Sequence, residues 1–422
     1  MIKKILTFSL ILWATSQAFA QDGTASPYSF YGIGEVKFKG TNEFRTMGNL
    51  SILRDSIHLN IVNPASYSAL KLTTFSVGAS STFSKLKNAT NDEKAQRSAL
   101  DYLAVAFPVN NFGFSFGLMP YTNVGYKLQN NSTFTLNGET KNQVNQYVGE
   151  GEINRAYAGM AYNVHKNISI GMNFIYSFGE ITSQTVIAKE GVQDFSREKN
   201  ISQINGYGFD FGVQIQTELK NKIVWSNSLS FQPEIKLTSK NSRNIAVINY
   251  GSGGAELVYD SRDVIIAHTK MNIPTKMNIG TGFGKATKWF VGLEYSYQEN
   301  SKLKNRFDVS ANTNYENSSI FALGGYYIPK YNSFTNYWNR VTYRGGFKYG
   351  NTGIVLNNQS IKDYGIDFGM GLPVGGSISN INIGFELGKR GTTAANLIQE
   401  NYFNVHIGLS FNDKWFNKRK YN

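Results

Sequence analysis

From about Leu72 to Phe411 the chain breaks repeatedly into stretches of roughly ten to twenty residues in which apolar residues alternate with polar ones or glycine. The clearest runs from Tyr207 to Gln216: Tyr207, Phe209, Phe211, Val213 and Ile215 fall on one face, and Gly208, Asp210, Gly212, Gln214 and Gln216 on the other. Successive side chains of a strand point to opposite faces, so this is the period of an extended chain with two unlike surroundings. The pattern recurs in Tyr364, Ile366, Phe368, Met370 and Leu372, and again in Ile381, Ile383, Phe385 and Leu387. Apolar outside and polar, glycine-rich inside is what a strand needs when lipid lies on one side and a lumen on the other. The expected fold is all-β: an antiparallel transmembrane β-barrel of about fourteen strands with an N-terminal hatch segment in its lumen.

Residues 1–20 have the form of a secretory signal, with Lys3 and Lys4, an apolar run from Ile5 to Trp13, and Ala18-Phe19-Ala20 at the cleavage position. No later stretch is long and apolar enough for a spanning helix. An exported chain of amphipathic strands belongs in the outer membrane of a Gram-negative cell. With no cysteine there is no disulfide framework, thiolate metal site or lipidated cysteine. The 41 glycines and 25 tyrosines suit barrel strands with aromatic girdles. The formal charge of +13 is scattered rather than gathered on one element, which argues against nucleic acid. Membrane lipid and the phosphates of lipopolysaccharide are the expected counterparts, or the charges simply keep loops solvated.

The chain divides into the signal, a glycine-studded segment over 21–71, the barrel over 72–411 and a basic tail over 412–422 with Lys414, Lys418, Arg419 and Lys420. The alternation is weak in 21–71. Irregular backbone cannot face lipid, so this part is expected inside the barrel. Expected strands cover 72–84, 100–108, 111–127, 152–164, 167–187, 201–218, 222–237, 274–285, 288–300, 318–328, 339–350, 361–373, 378–389 and 401–411. Short connections such as Val109-Asn110 and Ala286-Thr287 alternate with longer polar ones at 85–99, 128–151, 188–200, 238–273, 301–317, 351–360 and 390–400, and only Pro329 to Trp338 breaks the rule. This parity places both termini on the periplasmic side.

Asn63-Pro64-Ala65, lying between the glycine-studded piece and the first strand, resembles the FadL/TodX family of outer-membrane transporters. Ile273-Pro274 before the eighth strand and Lys288-Trp289-Phe290 at the ninth follow the same pattern, and the resemblance covers roughly 21–411. It implies an N-terminal hatch with Asn63, Pro64 and Ala65 at its junction. It also implies passive uptake of a hydrophobic or amphipathic small molecule, long-chain fatty-acid-like, leaving sideways where the third strand is kinked. That strand carries Gly117, Met119, Pro120 and Gly125. Proline donates nothing to a ladder, so Pro120 favours a bulge or broken pairing, either as a lateral gate or as the start of the strand's outer part.

Two features depart from the family. The 188–200 connection is short and charged, and Arg344, Lys348, Asp363, Asp367 and Glu386 fall on inner faces of strands eleven to thirteen. These charges form either a cross-strand network that fills the lumen or grips the hatch, or a ligand site in which Arg344 holds a carboxylate. A charged lumen also suits a non-transporting FadL-like barrel acting as a partner or plug component of a type IX secretion system. Enzymatic readings find no support. His58, His165, His268 and His406 are dispersed, His406 and Ser410 stand too far apart to bond, and no metal-ligand or cofactor motif occurs.

Overall fold

The computed structural model describes residues 23–136, 138–305, 312–374 and 379–415. The signal at 1–20, the tail from residue 416 with Lys418, Arg419 and Lys420, and 375–378 lie outside the described residues. The wall is a closed antiparallel barrel of 14 strands. They are β1 (Thr73–Lys87), β2 (Asp92–Val109), β3 (Phe112–Leu136), β4 (Glu139–His165), β5 (Ile168–Lys189) and β6 (Phe195–Glu218). Then come β7 (Val224–Gln232 and Ile235–Tyr250) and β8 (Glu256–Val264, Thr269–Ile273 and Lys276–Lys285). The circuit finishes with β9 (Trp289–Gln298), β10 (Thr313–Tyr315 and Ser318–Tyr327), β11 (Thr342–Leu356), β12 (Gln359–Pro373), β13 (Asn380–Arg390) and β14 (Gln399–Asp413). β14 closes on β1 in unbroken register from Gln399–Lys87 to Asp413–Thr73.

Alternation sets which side of each strand meets lipid. Tyr207, Phe209 and Phe211 are 70%, 40% and 41% exposed, while Asp210 between them and Gln214 beyond them are buried in the lumen. Prolines account for the break in β7 and the second of the two in β8: Pro233 and Pro274 lack the N–H that a continuous ladder needs. The two gaps face each other, and Asn272 Nδ2 reaches across to Glu234 Oε1 at 3.1 Å.

Several connections expected to be loops are ladder instead. β3 and β4 stay paired out to Leu136–Glu139, and the 188–200 and 238–273 stretches are mostly strand. Beyond the lipid band both faces of a hairpin meet water, so the alternation disappears while the backbone bonds continue. The long connection after β10 is compact, with Lys330 N bonded to Asn339 O and a 3-10 turn over Tyr337–Arg340.

Residues 23–72 lie within the lumen. This lumen segment contains a 3-10 turn (Pro27–Phe30), a two-residue strand (Glu35–Val36), a short helix α1 (Asn42–Arg45) and a second 3-10 turn (Pro64–Ala69). Its apolar residues are buried against inward side chains of the wall. Leu59, Ile61, Tyr67 and Leu70 pack with Tyr102, Met119, Tyr157 and Ile175. Phe44, Met47, Leu50 and Ile52 pack with Phe290 and Ala322.

Candidate functional site

The lumen has two unlike halves. Over β11 to β14, β1 and β2 the inward positions carry charge. Arg390 Nη1 donates to Glu35 Oε1 of the lumen segment at 2.7 Å, its Nη2 lies 3.3 Å from Asp363 Oδ2, and Glu400 Oε2 is 3.7 Å away. Glu400 in turn accepts from Ser26 Oγ at 2.7 Å and Ser84 Oγ at 2.9 Å. Burial works to raise the Glu35 carboxyl; Lys37, Arg390 and the Thr24 hydroxyl outweigh it and hold the group well below the usual carboxylate range.

A second knot lies deeper. Lys348 pairs with Glu386, which also accepts from Tyr402 Oη at 3.2 Å and Asn404 Nδ2 at 3.1 Å. His406 Nε2 is 3.5 Å from Glu386, and His406 Nδ1 is 2.8 Å from Arg45 Nη1. An arginine only donates, so Nδ1 accepts and the ring proton sits on Nε2, facing the carboxylate. Arg45 also meets Asp101 at 3.1 Å. Arg344 donates to Asn382 Oδ1 at 2.9 Å, and Asn382 Nδ2 donates to Glu43 of α1 at 2.7 Å. Asp367 stands opposite Glu386, 1% exposed, and its Oδ2 makes no hydrogen bond among the described residues. Lys348, Asp363 and Glu386 thus share one network with Arg390, Glu400, Tyr402, Asn404 and His406 of the wall and Glu35 and Arg45 of the lumen segment, while Arg344 reaches the lumen segment separately, through Asn382 to Glu43. Arg390 and Tyr402 were missed at the sequence level. Both sit on the inward parity of β13 and β14, Tyr402 within the strand expected at 401–411 and Arg390 one residue past that expected at 378–389, so the alternation itself points to them. Glu35 and Arg45 lie in aperiodic chain and give no such signal.

The opposite half is more apolar, with Lys39 paired to Asp210 as its one ion pair to the lumen segment among the described residues, and it contains the kink. Asn63, Pro64 and Ala65 start the second 3-10 turn: Asn63 Oδ1 accepts from Ala65 N at 3.1 Å, and its Nδ2 reaches Val213 O at 3.4 Å and Leu229 O at 3.2 Å. Gly212 makes the approach possible, since a Cβ there would overlap the Asn63 side chain. Gly117 and Met119 flank the last β2–β3 pair, Leu103–Leu118; Pro120 pairs with Asn154, and the register slips at Tyr121. Above that bulge β3 is buried on both faces from Tyr121 through Tyr126, including Gly125, because it bends inward and packs against Ile153, Ile181, Ile204 and Leu237. The Tyr121 ring lies against the Arg155 guanidinium, 3.4 Å from it, and Arg155, 1% exposed, donates to Gln232 Oε1 at 3.1 Å.

β3 therefore changes partner. Below the bulge it pairs with β2; above it, Glu35 and Val36 pair with Asn123 and Thr122, Lys37 N bonds to Tyr121 O at 2.9 Å, and Gly125 N bonds to Ser29 Oγ at 3.2 Å. Asp92–Tyr102 of β2 makes ladder pairs with β1 alone. A seam parts the wall between β2 and β3, and a cavity of about 300 Å³ opens behind it, lined among others by Val36, Lys37, Arg97 and Tyr121. No cluster of His, Asp or Glu among the described residues has the form of a metal site.

Comparison with solved structures gives the class. The monoaromatic hydrocarbon channel CymD aligns with a TM-score of 0.57 at 10% identity, covering 91% of this chain and 99% of that one. The Pseudomonas putida toluene transporter TodX aligns at 0.57 and 13%, covering 90% and 100%. A Pseudomonas aeruginosa FadL homologue aligns at 0.58 and 13%, covering 90% and 99%. At such identities the likeness is one of fold: the chain has the barrel fold of these FadL- and TodX-type channels. No curated protein matches the chain. The family described as BamG matches over residues 1–422, and the chain belongs to the BamG family.

Proposed function

We propose that this chain is a non-conducting FadL-like barrel that acts as a partner subunit in the outer membrane, associated with the Bam complex to which its family's name points. The observation that carries this reading is the locked lumen. Glu35, Glu43 and Arg45 of the lumen segment are bound to Arg390, Asn382, Asp101 and His406 of the wall. Removing one member of a buried pair leaves an uncompensated charge, so a segment held this way acts as a fixed hatch and not as a yielding plug. The first strand begins at Thr73 and the last ends at Asp413, paired at the short-turn end, which would face the periplasm, whereas Ser26 and Tyr28 of the lumen segment bond Glu400 and Ile398 at the long-hairpin end. The lysines of the long hairpins, such as Lys85, Lys87 and Lys127, would then meet lipopolysaccharide phosphates.

The experiment is to tag the full-length barrel, extract it in mild detergent and identify what co-purifies, alongside conductance in planar bilayers. Bam proteins with a silent bilayer support the proposal. Type IX secretion proteins in their place would assign the same kind of role to a different machine. A monomer with steady conductance contradicts it.

The kink and its cavity favour a second reading. A hydrophobic or amphipathic molecule, such as a long-chain fatty acid or a monoaromatic hydrocarbon, would be captured at the long hairpins and leave through the β2–β3 seam at Gly117, Met119, Pro120 and Gly125, with Arg344 or Arg390 available to a carboxylate. Mass spectrometry of lipids retained by the purified barrel tests it: a defined amphiphile supports it, and an empty barrel with unchanged uptake in a deletion strain removes it.

A further inference from the structure

We propose that the free edge of β2, over Gln96 to Leu100, is a docking edge for one extended strand of a partner polypeptide. This rests on the partner-subunit reading above and gives it a place on the molecule. The two sides of the seam are not equivalent. The β3 side is satisfied from within by Ser29, Glu35, Val36 and Lys37, whereas the β2 side has ladder bonds to β1 only. β2 and β3 are joined by a two-residue turn at Asn110–Asn111, so Val109 and Phe112 form the closing hydrogen-bonded pair. All residues on one face of a strand send their N–H and C=O to the same side. The outward residues of β2, including Gln96, Ser98 and Leu100, therefore direct theirs into the seam, where the Gln96 carbonyl accepts from Arg97 Nη1 at 2.9 Å and the groups of Ser98 and Leu100 have no ladder partner among the described residues.

These groups lie at lipid level. Gln96 pairs with Phe83, which pairs with Phe403; Ser98 pairs with Ser81, which pairs with Val405; Leu100 pairs with Ala79, which pairs with Ile407. Phe83, Phe403 and Ile407 are exposed apolar residues of the lipid-facing band. Within that band no water is at hand to satisfy main-chain donors and acceptors, so the edge calls for a partner that carries both.

The side chains say which partner. Ser81 and Ser98 share a hydrogen bond of 3.0 Å on the outer surface, beside Gln96, in rows where β14 shows Val405 and Phe403. Across the seam Asn154, opposite Pro120, bonds Glu152 at 2.7 Å. An acyl chain or hydrocarbon offers nothing to such hydroxyl and amide groups. A polypeptide strand offers main-chain bonds to the edge and polar side chains to its flank, which is recognition by strand addition. The cavity behind the seam leaves room for its inward side chains.

The test places the photo-crosslinking residue p-benzoylphenylalanine at Gln96, Ser98 or Leu100 of the full-length chain in its native outer membrane, with Phe174 and Val405 as lipid-facing controls. The expected result is a discrete adduct at the three edge positions, several-fold above the controls, whose attached peptide is identified by mass spectrometry. Ser98→Pro removes an N–H that points into the seam and leaves the β1 ladder intact. It should abolish the Gln96 adduct in a barrel that still shows heat-modifiable mobility, while Ser98→Thr keeps it. Adducts to lipid only, adducts internal to β3, or a peptide adduct indifferent to Ser98→Pro would each overturn the proposal. If Bam proteins still co-purify when edge adducts are missing, the docking edge is wrong and the partner reading survives. If neither is found, both fall.

Discussion

β2 has two edges with opposite fates. Toward β1 it is paired from Asp92 to Ala106, and β1 is paired in turn with β14 along its whole length. Toward β3 the pairing stops at Leu103–Leu118. The junction of first and last strands, where closure joins distant parts of the chain, is the sound part of the wall. The opening lies inside a two-residue hairpin, where proximity makes pairing easiest. Local connectivity therefore does not decide where this barrel parts. Three things do: a proline with no N–H to give, a bulge that turns Tyr121 onto Arg155, and a lumen segment that takes over the vacated β3 edge.

The comparison also divides the lumen. The sound side, β11 to β2, holds the lumen segment by a charge network; the other side holds it by apolar packing, hydrogen bonds to Asn163 and Glu294, and, among the described residues, a single ion pair, Lys39 to Asp210. The largest effect is expected on the charged side. Arg390→Leu leaves Asp363 and Glu400 without their cation and Glu35 with Lys37 alone, and breaking such a buried network costs about 3–5 kcal/mol. The lumen segment should become protease-sensitive and the bilayer should conduct, while the wall still resists sodium dodecyl sulfate unheated. A segment as protected as before would show that apolar packing alone holds it.

Next comes a glycine pair on β11. A Cβ on Gly346 would overlap the backbone of Met47 and Gly48, whereas a Cβ on Gly345 would meet only Asp367 O at 3.8 Å. Gly346→Ala should loosen the segment by about 1–3 kcal/mol and Gly345→Ala should change nothing, read by hydrogen exchange at 44–50. On the parted side, Asn63→Ala removes the cap of the Pro64–Ala69 turn and its bonds to β6 and β7, at about 1–2 kcal/mol. Exchange should rise at 61–68 while 42–47 stays protected. If both regions loosen together, the two halves act as one unit.

The smallest effect is a pH dependence. Asp55 and His58 lie 2.8 Å apart within the lumen segment. Burial opposes both charges, but their mutual attraction wins, lowering Asp55 to about 2 and raising His58. Asp55 contributes stability above the carboxylate's unfolded pKa, about 4, and loses it as pH falls through its lowered value; His58 contributes below its unfolded pKa and loses it as pH rises through its raised value. The protection factor at 55–58, which is the base-catalysed exchange rate of the free chain divided by the observed rate, should therefore be higher near pH 5.5 than near pH 9, and His58→Gln should flatten the difference. A lower protection factor at the lower pH would reverse the assignment.

Much of the wall was legible because lipid on one side enforces a period of two. The same reasoning placed Arg344, Lys348, Asp363, Asp367 and Glu386 facing inward, and all are half-buried or buried there. What could not be read follows from where that constraint ends. The hairpins beyond the band stay strand without alternating, so β3 and β4 looked shorter than they are. Pro120 announced a break in pairing but not its replacement, because Glu35–Val36 is too short to carry a period. Arg155 sat at an inward position with nothing in the sequence to say that a bulged tyrosine would lie against it.

The account's central claim is that β3 exchanges β2 for the lumen segment above Leu118. The chain has no cysteine of its own, so pairs of introduced thiols report without background. Residues directly opposite in a ladder bring their Cβ atoms close enough for a disulfide or a short thiol crosslinker. In native outer membrane, Val36→Cys with Thr122→Cys should close, as should Val105→Cys with Phe116→Cys below the bulge, while Leu100→Cys with Tyr121→Cys should stay open. Closure of the Leu100–Tyr121 pair with an open Val36–Thr122 pair would mean that β2 and β3 are zipped in the membrane, and the seam would not exist.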